Sequence, residues 1–247
     1  MFLIKGILIS KTVCKDYIVA KFELEKEINV EPGQFLMLTN KTEPVMAKPF
    51  SVVSCEKNIL TVLIRVIGRF TNFLKNDLML GDHIYFRGSY GNSYYNTIIS
   101  KSNYILIGAG CGSAPLLHFE KKYKDSVVKS FYGFRNDEIT KIMQNENFFF
   151  DEIEKKNIIE TAYEYFVKNS ENIKGIISSG TFNMNKAVFD KFKNFDLEIY
   201  CALDERMGCG VGMCKGCPIK IEKEIKMICK DGPLFDARKI DFNWNEV

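Results

Sequence analysis

Cys209, Cys214 and Cys217 stand at spacing C-x4-C-x2-C. A fourth cysteine, Cys229, follows with eleven residues between, and glycines occupy 208, 210, 212 and 216. A chain that must bring four thiolates together over this distance is forced into a tight loop followed by a return. The x4 and x2 gaps are the plant-type ligand pattern for a [2Fe–2S] cluster, in which each iron takes two thiolates. The glycines permit backbone conformations that turn N–H groups towards sulfur. A structural zinc would also take four thiolates, usually from two C-x2-C knuckles, and only one such pair is present here. Four unliganded cysteines are the third reading. Cys14, Cys55, Cys111 and Cys201 are scattered among apolar neighbours and read as small core hydrophobes. With no secretory pattern at the start, the expectation is a reducing, cytoplasmic setting.

The 247-residue chain has room for two ordinary domains ahead of the cysteine segment. A hydrophobic fraction of 46%, a charged fraction of 26% and a net charge of +3 without a basic stripe argue against a nucleic-acid binder. Apolar runs such as Ile59–Ile67 are too short to span a bilayer.

Residues 1–98 read as short strands (Phe2–Ser10, Tyr17–Glu23, Gln34–Thr39, Phe50–Cys55, Asn58–Arg65, His83–Arg87), interrupted by one helical segment at Thr71–Asn76. This predicts a small antiparallel barrel or sandwich. Lys48-Pro49-Phe50-Ser51 at a strand start is either an ordinary edge or a ligand site. In the second case a cation faces phosphate, a hydroxyl donates to a ring nitrogen and an aromatic packs on a planar ligand.

From 99 to 203 the rhythm becomes strand–turn–helix. Tyr104–Ile107, the turn Gly108-Ala109-Gly110-Cys111-Gly112-Ser113-Ala114-Pro115 and a helix from Leu116 predict an α/β domain with a parallel sheet and a nucleotide turn. Further strands are expected at Ser126–Tyr132, Ile173–Ser178 and Leu197–Ala202, with Asn183 capping a helix from Met184 to about Phe192. Residues 204–247 form the cluster segment, with a hairpin of Ile219–Glu222 and Ile225–Ile228 returning Cys229 to the other three.

These pieces in this order resemble the ferredoxin reductase-like superfamily. More narrowly, they resemble the electron-transfer subunits of bacterial NAD-dependent (B-type) dihydroorotate dehydrogenases. The most specific stretch is Glu205-Arg206-Met207-x-Cys209-Gly210-x-Gly212-x-Cys214-x-Gly216-Cys217, with Cys229-Lys230-Asp231-Gly232-Pro233-Leu234-Phe235 after it.

The resemblance implies an FAD-binding barrel in which Lys48, Pro49, Phe50 and Ser51 occupy the Arg-Pro-x-Ser motif. Arg65, Val66 and Ile67 would line the flavin or its pyrophosphate, and Phe70 and Thr71 would lie over the phosphates. Gly108, Gly110 and Gly112 would form the nucleotide turn, and Cys209, Cys214, Cys217 and Cys229 would hold the cluster. It also implies NAD as external acceptor and a separate FMN-containing dehydrogenase as partner, in a two-plus-two assembly serving pyrimidine biosynthesis. No acid or base residue is expected, because hydride and electron transfer need none from the chain. The rival reading is the corresponding subunit of another NAD(P)H- or ferredoxin-linked oxidoreductase, or a redox protein with impaired NAD binding.

The chain departs from the family pattern in four places. Lys48 replaces arginine, Phe70 replaces glycine, Ser179-Gly180 replaces Cys-Gly, and the stretch 136–174 lacks the family's Thr-x-Asp-Gly-x-x-Gly segment. The first predicts a point charge in place of a two-pronged fork on phosphate. The second predicts added bulk near the phosphates, and the last bears on NAD binding.

Overall fold

The computed structural model describes residues 3–40, 46–135, 137–143, 145–150 and 157–244. Six antiparallel strands close into a barrel in the order β1-β2-β5-β4-β3-β6. They are β1 (Ile4–Cys14), β2 (Tyr17–Leu24), β3 (Phe35–Thr39), β4 (Lys48–Glu56), β5 (Ile59–Arg65) and β6 (His83–Tyr90). Alternation sends Ile18, Ala20, Phe22 and Leu24 of β2, Leu60, Val62 and Ile64 of β5, and Ile84 and Phe86 of β6 into one apolar core. There the Phe22 and Phe86 rings meet edge to face at 5.2 Å. On the opposite face Val19 of β2 and Leu63 of β5 pack against Leu116, Leu117 and Phe119 of the next domain, while Lys21 and Glu23 of β2 stay exposed. Burial on both faces explains why β5 is apolar nearly throughout. Helix α1 (Arg69–Asn76) lies between β5 and β6.

The second domain is a six-stranded sheet of order β14-β11-β10-β7-β8-β9. Its strands are β7 (Tyr104–Ala109), β8 (Val127–Phe134), β9 (Phe148–Phe150), β10 (Gly175–Ser179), β11 (Glu198–Ala202) and β14 (Leu234–Asp236). All neighbours run parallel except β14, which pairs antiparallel with β11. Helices α2 (Ser113–Lys122), α3 (Ile158–Asn169) and α4 (Phe182–Phe192) pack on the sheet.

Several sequence expectations need correction. Helix α2 starts at Ser113, before Leu116, and so contains Pro115. That is tolerated because the N–H groups of a first turn lack intrahelical partners. Helix α4 is capped by Thr181, whose side chain accepts from the N–H of Met184, and Asn183 lies inside it. The stretch 136–174 holds β9 and α3, neither foreseen. Within it Asn136, Gln144 and 151–156 lie outside the described residues. Of the four scattered cysteines only Cys201 is fully buried, and Cys14, Cys55 and Cys111 are partly covered.

The C-terminal segment is woven into the α/β domain. Beyond the hairpin of β12 (Pro218–Ile221) and β13 (Glu224–Met227), β14 joins the central sheet. Arg238 then donates from Nη1 to the Lys193 carbonyl at 2.9 Å and from Nη2 to the Phe195 carbonyl at 2.9 Å. That fork occupies carbonyls just past α4, where a helix end leaves acceptors without partners.

Candidate functional site

In the central sheet the chain order reverses between β7, which leads on to β8 and β9, and β10, which leads on to β11. Ligands bind outside the strand C-termini at such a reversal. Both strands run there into glycine turns, Gly108–Gly112 at the end of β7 and Ser179-Gly180 at the end of β10. The two turns touch. A Cβ on Gly112 would lie 2.4 Å from the Ser179 carbonyl oxygen and 2.8 Å from Gly180 Cα. No side chain fits at that closeness to backbone, so the glycine is required by the approach of the turns.

Facing this crevice is the barrel. The predicted stretches 48–51 and 65–71 come together through the Phe50 and Phe70 rings, whose centroids are 6.1 Å apart. Phe70 is only 5% exposed and belongs to the barrel core, so the bulk expected from a phenylalanine here is turned inward. Thr71 is committed locally. Its Oγ1 accepts from the N–H groups of Ile67 at 2.9 Å and Gly68 at 3.0 Å, and donates to the Gly68 carbonyl at 3.0 Å. That closes the turn before α1. A Cβ on Gly68 would meet nothing within 4 Å, so the backbone is open to a ligand there.

Lys48 at the start of β4 and Arg65 at the end of β5 are both exposed at the same end of that antiparallel pair, and Ile67, two residues past Arg65, is 79% exposed. Arg65 is the register partner of Tyr17, whose hydroxyl lies 3.3 Å from a Cβ placed on Gly110. The rim therefore runs from the barrel motif into the nucleotide turn without a break. Two cations, an open backbone before a helix and half-buried Ser51 at the inner edge fit a dinucleotide with a pyrophosphate and a planar ring.

Sequence reasoning missed Tyr17, Arg135 and Asp204, which gather near Cys111: Cys111 and Arg135 act on the Tyr17 hydroxyl, and Asp204 acts on the Cys111 thiol. Burial pushes the Cys111 thiol up to about 12, Asp204 adds to the effect and Arg65 opposes it. Cys111 keeps some surface open to the crevice, yet dense protein around it makes desolvation dominate. Asp204 is solvent-accessible, yet desolvation by the surrounding protein raises its carboxyl, with Glu205 adding to the rise. Arg135 and Asp204 follow the C-terminal ends of β8 and β11 while Tyr17 opens β2, and positions so scattered in sequence gain a common meaning only once the strand order is known.

The four predicted cysteines converge, in two pairs. Cys209 and Cys214 are in contact, with the Cys214 N–H donating to Cys209 Sγ at 3.4 Å. Cys217 and Cys229 form the other pair, with the Cys229 N–H donating to Cys217 Sγ at 3.5 Å. The Gly212 N–H donates across to Cys229 Sγ at 3.0 Å and the Val211 N–H to Cys209 Sγ at 3.4 Å. Burial works against ionising Cys209. The Cys214, Val211 and Met213 amides and the Cys214 thiol outweigh it and bring this thiol down to about 6. Cys229 is pushed up to about 12 by burial and by the adjoining Cys217 thiol.

Two thiol pairs supplied with backbone donors to sulfur are the donor set of a binuclear cluster. Gly210, at φ +77°, lets the loop lie flat on the barrel, where a Cβ would come within 3.1 Å of Met37 Cγ.

A family model described as the iron–sulfur cluster binding domain of dihydroorotate dehydrogenase B matches residues 204–241. The oxidoreductase FAD-binding domain matches residues 6–95. The chain is 28% identical over 230 residues to "Dihydroorotate dehydrogenase B (NAD(+)), electron transfer subunit" of Caldanaerobacter subterraneus subsp. tengcongensis, covering 85% of this chain and 87% of the relative. It is 30% identical over 249 residues to sulfhydrogenase 2 subunit gamma of Pyrococcus furiosus, covering 86% and 85%. In fold it is similar to a chain of the NADH-dependent reduced ferredoxin-NADP oxidoreductase, with a TM-score of 0.82 at 22% identity over 96% of this chain and 90% of that one.

Proposed function

We propose, from the premise that the chain belongs to the ferredoxin reductase-like family of the electron-transfer subunits of B-type dihydroorotate dehydrogenase, that it carries electrons between a separate dihydroorotate-oxidising dehydrogenase and NAD+. The observation that supports this most is the placement of two cysteine pairs against the same barrel that presents Lys48–Ser51. Bound FAD supplies the exchange between a nicotinamide's electron pair and the single electrons of a [2Fe–2S] cluster.

The chain's own residues hold and orient. Lys48 and Arg65 offer cations to the pyrophosphate, Ser51 offers a hydroxyl to the flavin edge, and Val66 and Ile67 offer apolar cover. The Gly108, Gly110 and Gly112 turn admits the nicotinamide dinucleotide beside Ser179. Cys209 and Cys214 would hold one iron, and Cys217 and Cys229 the other. Residues 1–98, 99–203 and 204–247 serve as flavin, nucleotide and cluster units, with β14 lent back to the second. The dehydrogenase, with its own FMN, is a separate subunit in a two-plus-two complex, and the setting is cytoplasmic. No described helix is long and apolar enough to cross a membrane.

The test is co-purification with the separate FMN-containing dehydrogenase followed by NAD+ reduction driven by dihydroorotate. No turnover from a fully loaded complex rejects the reading. The second reading, a subunit of another NAD(P)H- or ferredoxin-linked oxidoreductase, is favoured by the sulfhydrogenase likeness. It is supported if the same complex fails with dihydroorotate yet exchanges electrons between NAD(P)H and ferredoxin.

Lys48 carries a further expectation. Lys48→Ala should weaken FAD binding about tenfold, equivalent to about 1.4 kcal/mol, and flatten its salt dependence. Fluorescence titration of the apoprotein reads both, and unchanged affinity would remove Lys48 from the phosphate site.

A further inference from the structure

The two cysteine-bearing arms of the C-terminal segment are far apart in sequence, and one barrel turn touches both. Tyr90 ends β6, and Gly91 and Asn92 follow it in the turn. The Tyr90 ring lies under the first arm, with its Cδ2 3.2 Å from a Cβ built on Gly210, the residue after Cys209. Asn92 grips the second arm. Its N–H donates to the Gly232 carbonyl at 2.7 Å, and its Nδ2 donates to the Asp231 carbonyl at 3.0 Å and the Lys230 carbonyl at 3.4 Å. Lys230 directly follows Cys229. Between the two, a Cβ on Gly91 would lie 3.0 Å from Pro233 Cδ and 3.3 Å from Phe35 Cε1. The Gly91 carbonyl accepts from Gln34 Nε2 at 3.1 Å, so the turn is anchored from behind. Phe35 is paired in register with Tyr90 on one side and with Ser51 on the other, and its ring lies 5.9 Å from that of Tyr90.

We propose that the barrel turn Tyr90–Asn92, backed by Phe35, is an outer support of the cluster site, and that Asn92 is a positioning residue for Cys229. The proposal rests on the reading that the four cysteines hold a [2Fe–2S] cluster. Asn92 touches no sulfur. It holds the carbonyls next to Cys229 so that this thiol stays beside Cys217 while Tyr90 seats the loop carrying Cys209. Groups that orient ligands from outside the coordination sphere govern metal retention strongly. The same turn is tied through Phe35 to the strand carrying Ser51, so the barrel that takes the flavin also sets where the cluster sits.

The test uses the purified, FAD-loaded, iron-loaded chain challenged with a chelator, following the cluster's visible absorbance and circular dichroism. Asn92→Ala and Asn92→Asp, which is isosteric but cannot donate from that position, should release iron about 10- to 100-fold faster than wild type. Their visible dichroism should change, while FAD content and Tm stay near wild type. Asn92 is exposed, so these variants are expected to fold. Tyr90→Ala should act in the same direction, and if it loses FAD as well, the Asn92 variants decide. Release at the wild-type rate with unchanged dichroism overturns the proposal. Wild-type protein that holds no iron under anaerobic reconstitution instead sinks the cluster reading and the support role with it.

Discussion

Cys229→Ala is expected to strip the chain of its cluster while leaving FAD in the barrel. Cys229 is the one predicted ligand delivered by a separate arm, and it is 2% exposed against Cys217. Its loss leaves the second pair with a single thiol. The Gly212 N–H, now 3.0 Å from Cys229 Sγ, loses its acceptor too. Removing a supporting group alone costs metal affinity about 10- to 100-fold, and removing a ligand costs at least that. The iron-to-FAD ratio should fall towards zero. The flavin should still bleach with NADH, and electron delivery to the dehydrogenase should drop to about one hundredth of wild type or less. Cys201→Ala is the matching control. Cys201 is equally buried, but it contacts Ser178 Oγ and the Asn185 carbonyl, away from the other thiols, so iron content should not change. Full iron in Cys229→Ala would overturn the two-pair assignment.

Stability should fall steeply between pH 6.5 and 4, with His118 as a principal cause. This residue of α2 is 4% exposed and its Nδ1 has no hydrogen-bond partner. Burial first, then Lys122 and Lys121, bring it down from 6.5 to about 4, with Glu31 of the barrel opposing. The folded pKa is thus depressed below the unfolded one. The unfolded chain takes up the proton first as pH drops, so the stabilisation is complete above pH 6.5 and lost as pH approaches 4. At 1.36 kcal/mol per pH unit the loss is about 3 kcal/mol, which lowers Tm by roughly 6–12 °C in a chain of this size. Other groups titrate nearby. The carboxyl of Glu31 is lowered because Lys122, Tyr123 and Asn29 together outweigh its desolvation, and its contribution is lost only below the ordinary carboxylate range. Scanning calorimetry of wild type and His118→Gln across pH 7 to 4 separates the two. The variant should show a much shallower decline between 6.5 and 5, and an identical slope would clear His118.

Much of this architecture is legible from local patterns. The β2 and β5 strands are found within a residue because alternation and turn residues act over short range. The barrel motif at 48–51, the nucleotide turn at 108–112 and the cysteine spacing are compact in the same sense. Failures concentrate where several local options compete. Thr181 and Asn183 are both good caps, and only the packing of α4 against β10 and β11 selects the first. Helix α3 falls in the stretch that departs from the family pattern, so only its own period reveals it, with Ile158, Ile159, Ala162 and Phe166 making a buried face.

By itself the sequence determined the donor set: four thiols, glycines that free the amides around them, and a barrel and an α/β unit ahead of them. Covalent spacing and residue chemistry suffice for that. Only the tertiary structure decided which thiols pair, that β14 returns antiparallel to the central sheet, that the two glycine turns close on each other, and that one barrel turn holds both cysteine arms. Those are contacts between segments tens of residues apart. Their free energy comes from mutual burial and shared backbone hydrogen bonds, which no short stretch of residues encodes alone.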